Sequence, residues 1–170
     1  MSSREIPAPA NDTTAYEIVR LEDLEDPLVR LGVEHWQTVR GERAYPSRDQ
    51  IDPKAIARAL HRIIILKVID GGEDFEFAIV GDEVNRAYRV PFARRRLSAI
   101  SRDLPNSAAF WGTIYRDICR TGKAWAVRMF SGFDGETNFS HGEAALLPLG
   151  PVDGVVDHII TFSKRAVTRA

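Results

Sequence analysis

The sequence predicts an α+β fold: an antiparallel sheet whose two groups of strands are separated by helices. Three observations carry this. Residues 63–69 and 75–80 are β-branched and aromatic runs separated by Asp70, Gly71, Gly72, Glu73 and Asp74, a loop of turn formers that makes the pair a hairpin. Residues 124–130, 137–149 and 155–164 form three more strand runs, joined by turns that carry Asp134-Gly135 and Asp153-Gly154. Those dipeptides supply the positive φ a chain reversal needs. Between the two groups, Phe110, Ile114 and Ile118 recur on one helical line and Trp111, Tyr115 and Cys119 on the next.

The elements follow in order. Residues 1–14 are rich in Pro, Ala, Ser and Asn, with no basic start leading into an apolar run, and read as a disordered tail rather than a targeting segment. Asp26-Pro27 places an N-cap before a proline at the first helical position, and Leu28, Leu31, His35, Trp36 and Val39 share one face until Gly41. Asp52-Pro53 repeats that start ahead of Ile56, Ala59, Leu60 and Ile63, which predicts a second helix. Short helices are expected at 82–88 and 92–102, interrupted by Pro91 and ended near Pro105. The long helix then stops at Gly122. In the strand that follows, Trp125, Val127 and Met129 alternate with Ala124, Ala126, Arg128 and Phe130, so both faces of the sheet carry apolar groups and both need a cover. The middle helices cover one face, and the 27–40 helix is the candidate for the other or for a homodimer interface, through Leu28, Leu31 and Trp36.

At 170 residues the chain is one domain's length with an extension, and 23 basic against 24 acidic side chains leave no overall field for nucleic acid. The single Cys119 excludes an internal disulfide and fits a reducing, cytoplasmic setting. Nowhere do about 18 apolar residues run together, so no membrane helix is expected.

The segment Trp36-Gln37-Thr38-Val39-Arg40-Gly41, then Pro46-Ser47-Arg48 and Ile51-Asp52-Pro53, resembles the opening of a family of bacterial single-domain PAS-like proteins. So does Glu143-Ala144-Ala145-Leu146-Leu147-Pro148-Leu149 followed by Asp153-Gly154. The resemblance implies a PAS-like five-stranded antiparallel sheet with helices on one face and an N-terminal helical extension, used for sensing and dimerisation. The corresponding division is a tail at 1–14, the extension at 15–62, the PAS-like domain at 63–165 and a tail at 166–170.

Individual residues narrow the chemistry. Cys119 sits on the apolar side of a helix, as a packed cysteine does, and the cysteine motif of light-sensing PAS relatives is missing, so flavin is not expected. The resemblance would place a haem ligand histidine on the helix spanning 107–121, where none occurs, so haem is not expected either. His35, His61, His141 and His158 are scattered, and His141 with Glu143 gives two ligands where a metal site needs three or four. The Arg94-Arg95-Arg96 run reads as a solvated helical face.

The expected function is a sensory or regulatory module without catalysis of its own, signalling through a protein partner in trans. A small enzyme, with His141 and Glu143 or Asp82 and Arg128 as acid and base, and a structural dimerisation adaptor are the alternatives. A small ligand would lie between sheet and helices, touching Phe92, Phe110, Ile114 and Tyr115. Arg128, the charged group in an otherwise apolar strand, would orient it or form an ion pair with Glu76 or Glu143.

Overall fold

The computed structural model describes residues 16–168, so the 1–14 tail and the last two residues lie outside the described residues. A six-stranded antiparallel sheet forms the middle layer. Its strands are β1 (Tyr16–Val19), β2 (Ile63–Ile69), β3 (Asp74–Val80), β4 (Trp125–Met129), β5 (Phe139–Leu149) and β6 (His158–Val167). The spatial order is β1-β4-β5-β6-β2-β3. The β2–β3 hairpin, the crossover and the β4–β5–β6 meander are as the sequence predicts, with β6 beside β2 through pairs such as Ile65 with Ile160. Gly135 and Gly154 take φ of 78° and 90°, as their turns require.

The sixth strand is a correction to the five expected. β1 falls inside the segment read as a helical extension and pairs along β4, Tyr16 opposite Met129 and Val19 opposite Ala126. A four-residue edge strand carries too little pattern to stand out from a loop, and its signal is the partner strand it lies against. The boundary at residue 63 is therefore not a structural break. At the other end, β6 runs to Val167, and Thr168 N donates to Asn138 O.

Helix α1 (Pro27–Arg40) begins as predicted: Asp26 Oδ1 accepts from Leu28 N at 2.9 Å and Val29 N at 3.1 Å. It lies on one face of the sheet, where Val29, Val33 and Trp36 bury against Ala145, Leu147, Ile160 and Phe162. Gly32 permits the close approach, since a Cβ there would stand 2.2 Å from the Phe162 ring. Trp36 Nε1 donates to Pro148 O at 2.9 Å. β4 pairs only as far as Leu146, so Pro148 lies past its end, where a strand proline is tolerated.

The second predicted helix is absent. Residues 53–56 form turns and Ala57–Arg62 a 3-10 helix, with Ile56 and Ala59 buried but Leu60 38% exposed. Asp52 spends its start signal on a local turn, its Oδ1 accepting from Lys54 N. A 3-10 helix rises about 2.0 Å per residue against 1.5 Å, so it carries the chain further to the first residue of β2.

The opposite face is covered by α2 (Asp82–Ala87), α3 (Leu97–Asp103) and α4 (Pro105–Thr121). Residues 94–96 are not a helical face. Arg94, at φ 64°, donates its N–H to Phe77 O, and Arg95 O accepts from Phe77 N, so the arginine run lies along the edge of β3 and shields it. Neither α3 nor α4 has a side-chain cap from its own preceding residue. The sheet side provides one for each: Asp74 accepts from Ser98 N and Oγ, and Glu136 from Asn106 N and Ser107 N.

Candidate functional site

Alternation along β6 decides the site. Ile160 and Phe162 face α1, whereas Ile159, Thr161, Ser163 and Arg165 face the α2–α4 layer. The last three of these are buried polar residues, with Arg165 only 2% exposed. Its guanidinium lies over the rings of Tyr88, Trp111 and Phe139, at 5.3, 5.5 and 5.7 Å from their centroids. Nη1 donates to Ser163 Oγ at 2.6 Å, and Nη2 makes only a long contact of 3.4 Å with Tyr88 OH. Nε is buried without a hydrogen-bond partner. Among the described residues no carboxylate forms an ion pair with it; the nearby Glu83 accepts from the Arg165 backbone N–H and turns its charge to Arg62 and Lys164.

Arg165 is one wall of a cavity of about 20 Å³, room for roughly one water-sized group. The other walls are Ile64, Phe77, Tyr88, Phe92, Leu97, Ile100, Ser107, Ala108, Trp111 and Tyr115. Each helix delivers its part. Ser107 is in the first turn of α4, fixed by Glu136, and its own Oγ is buried without a partner. Tyr88 follows α2, held by a bridge to Thr137, and its hydroxyl accepts from Trp111 Nε1 at 2.9 Å. Phe92 stacks on Phe77 with ring centroids 5.0 Å apart. Burial raises the Tyr115 phenol well above its ordinary pKa, with Tyr88 adding to the effect, so Tyr115 is a neutral phenol at physiological pH.

Of the residues expected to touch a ligand, Phe92 and Tyr115 line the cavity. Phe110 and Ile114 are buried in the same core but outside its walls, Phe110 packing on Tyr16, Trp111 and Phe133. Arg128 is a correction. It shares the face of Ala126, and that face is the α1 side, so it cannot orient anything in the cavity. It pairs with Glu17 at 3.5 Å and Glu25 at 3.9 Å, not with Glu76 or Glu143, and donates to Asp23 O. Glu143 is taken by Glu25 N and Asp26 N, just ahead of α1.

Trp36 is likewise withdrawn from any dimer surface, being 5% exposed against its own sheet, while Leu28 and Leu31 are half-buried. His141 is exposed beside Ser140, and among the described residues no group of three or more His, Cys, Asp or Glu side chains could hold a metal. No helix of the described residues is long and apolar enough to cross a membrane.

Arg165 and Ser107 were not among the expected site residues. The signal for Arg165 was present in the polar alternation Thr161, Ser163, Arg165, but it requires continuing the strand one residue past 164.

The sheet order, the helical cover and the cavity between them define an antiparallel α+β domain with a buried polar site under its helical layer. The family model described as PAS domain matches residues 27–160, and the chain belongs to that family of sensory and regulatory modules. The match begins at Pro27, the first residue of α1, and so includes the helix on the second face. No curated protein and no solved structure matches the chain.

Proposed function

We propose that this PAS domain is a cytoplasmic sensor that takes up a small molecule between β6 and the α2–α4 layer and passes the signal in trans to a protein partner. One observation carries the reading: two buried polar side chains, Arg165 and Ser107, each present an atom without a hydrogen-bond partner at a cavity wall. Arg40 Nε, Tyr45 OH, Arg62 Nε, Asn85 Oδ1 and Thr161 Oγ1 are also buried without a hydrogen-bond partner, but none of those residues lines this cavity. What sets Arg165 and Ser107 apart is that they share one, and each unmade bond costs roughly 1–3 kcal/mol until a ligand makes it.

The reading includes no haem or flavin and no catalysis. Its output is coupled to α1, because Ser163 Oγ donates onward to Arg62 O and Arg62 Nη1 holds the Asp26 cap at 2.8 Å. Self-association through the outer flank of α1, at Leu28 and Leu31, belongs to the same proposal. A native mass spectrum of protein purified from its own host tests the sensing: a bound metabolite supports it, and an empty protein in repeated preparations argues for a structural adaptor. An absorption spectrum tests the cofactor expectation, and light scattering on Leu28→Glu with Leu31→Glu tests self-association.

A further inference from the structure

The geometry points to a carboxylate as the chemical class of the ligand, held by the incompletely paired Nε–Nη2 edge of Arg165. This rests on the sensing reading above and deepens it. The guanidinium has two usable edges. Nη1 is spent on Ser163, whereas Nε has no partner and Nη2 only the 3.4 Å contact to Tyr88 OH. Two neighbouring N–H groups on one planar edge match the two oxygens of a carboxylate, the arrangement that makes Arg–carboxylate pairs bidentate.

The charge itself calls for an anion. Arg165 is 2% exposed, and among the described residues it has no carboxylate within ion-pair distance. Three aromatic faces offset part of its desolvation but supply no acceptor. Ser107 Oγ, the other unpartnered group of the same cavity, is a hydroxyl that donates to a carboxylate oxygen or accepts from a substituent.

The remaining walls set the rest of the ligand. They are aromatic and aliphatic, so the body attached to the carboxylate is apolar and flat. With about 20 Å³ free, the acid is small, and anything larger than its head group enters by displacing Phe92 from its stack on Phe77. A dicarboxylate or a phosphate has no second cation on these walls to meet it.

The test titrates formate, acetate, propionate and benzoate, each beside its neutral amide, into the whole protein. Melting temperature and the indole N–H resonance of Trp111, which lies over the guanidinium, are the readouts. At about ten times Kd an acid should raise the melting temperature by roughly 3–6 °C and move the Trp111 signal, while its amide does neither. Arg165→Met should abolish the response, and without acid should melt no lower than the wild type, since it removes an uncompensated buried charge. Arg165→Lys keeps the charge but loses the planar edge, and should weaken binding at least tenfold.

Equal responses to acids and amides, or an undiminished response in Arg165→Met, would overturn the carboxylate assignment and leave sensing intact. If Arg165→Met does not fold, the acid–amide contrast in the wild type and the lysine variant decide. No response to any acid also overturns the assignment, and the host-purified mass spectrum then judges sensing separately.

Discussion

Arg62 Nη1 lies 2.8 Å from Asp26 Oδ1, the same oxygen that accepts the first two free backbone N–H groups of α1. Both side chains are mostly buried, so one carboxylate starts the helix and fixes it to the segment entering β2. Asp26→Ala should lose cap and ion pair together, about 2–3 kcal/mol. Asp26→Asn keeps an acceptor for the helix and should lose about half as much. Urea denaturation of the three proteins checks the order.

Gly32→Ala sets two effects against each other. Alanine improves helix propensity by about 1 kcal/mol. Its Cβ would stand 2.2 Å from the Phe162 ring, which is 1% exposed and walled in, so α1 would have to lift from the sheet. Overpacking of that kind costs about 1–3 kcal/mol, and a net loss of stability is expected by thermal melting.

Glu136 is 6% exposed and receives Asn106 N, Asn106 Nδ2 and Ser107 N at the start of α4. Negative charge there also meets the positive end of the helix dipole. Glu136→Ala should cost about 2–3 kcal/mol, and hydrogen exchange should show the first turn of α4 opening before the rest of the helix. Uniform exchange along α4 would count against the cap.

Asp74 gives a pH signature. Burial works to raise its pKa, but the Ser98 hydroxyl, the N–H groups of Phe75 and Ser98 and the Arg96 charge outweigh it and hold the carboxyl below the usual aspartate range. A pKa depressed by folding contributes stability above the unfolded pKa, and that stability is lost as pH falls through the folded one. Ser98→Ala should therefore cost about 0.5–1 kcal/mol at pH 7, a value discounted for solvent exposure. The difference from wild type should vanish once acid protonates Asp74 in both proteins. A gap that persists at low pH would assign the effect to packing.

Burial pushes the Cys119 thiol up to about 11. At pH 7 the thiolate fraction is then about 1 in 10,000, and the thiol should react with a disulfide reagent far more slowly in the native protein than in denaturant. Fast native labelling at neutral pH would show that α4 opens around it.

Strand alternation, turn dipeptides and helix spacing made most of the fold legible, and the two-faced strand Trp125–Met129 called for a cover on the second face, for which α1 was the candidate alongside a dimer interface. Where local signals failed, a long-range partner had replaced them. β1 exists as a strand because β4 is beside it, and α3 and α4 start without caps of their own because Asp74 and Glu136 reach them from 24 and about 30 residues away. Of the cavity walls, Tyr115 follows from helical spacing and Phe92 from the run of aromatic residues in the helical layer, whereas Arg165 lay beyond a strand read as ending at 164 that continues to Val167.

Periods of two and of three to four are local properties that each segment carries alone, so the antiparallel α+β character of this chain can be read along it. Which face of the sheet is inner depends instead on how the layers pack. Alternation shows that Arg128 shares a face with Ala126 and that Arg165 shares one with Ser163, but the two patterns look alike until helices are laid against them. α1 turned the first face into a surface where Arg128 meets Glu17 and Glu25. The α2–α4 layer closed over the second and left Arg165 buried, charged and with its Nε unpaired.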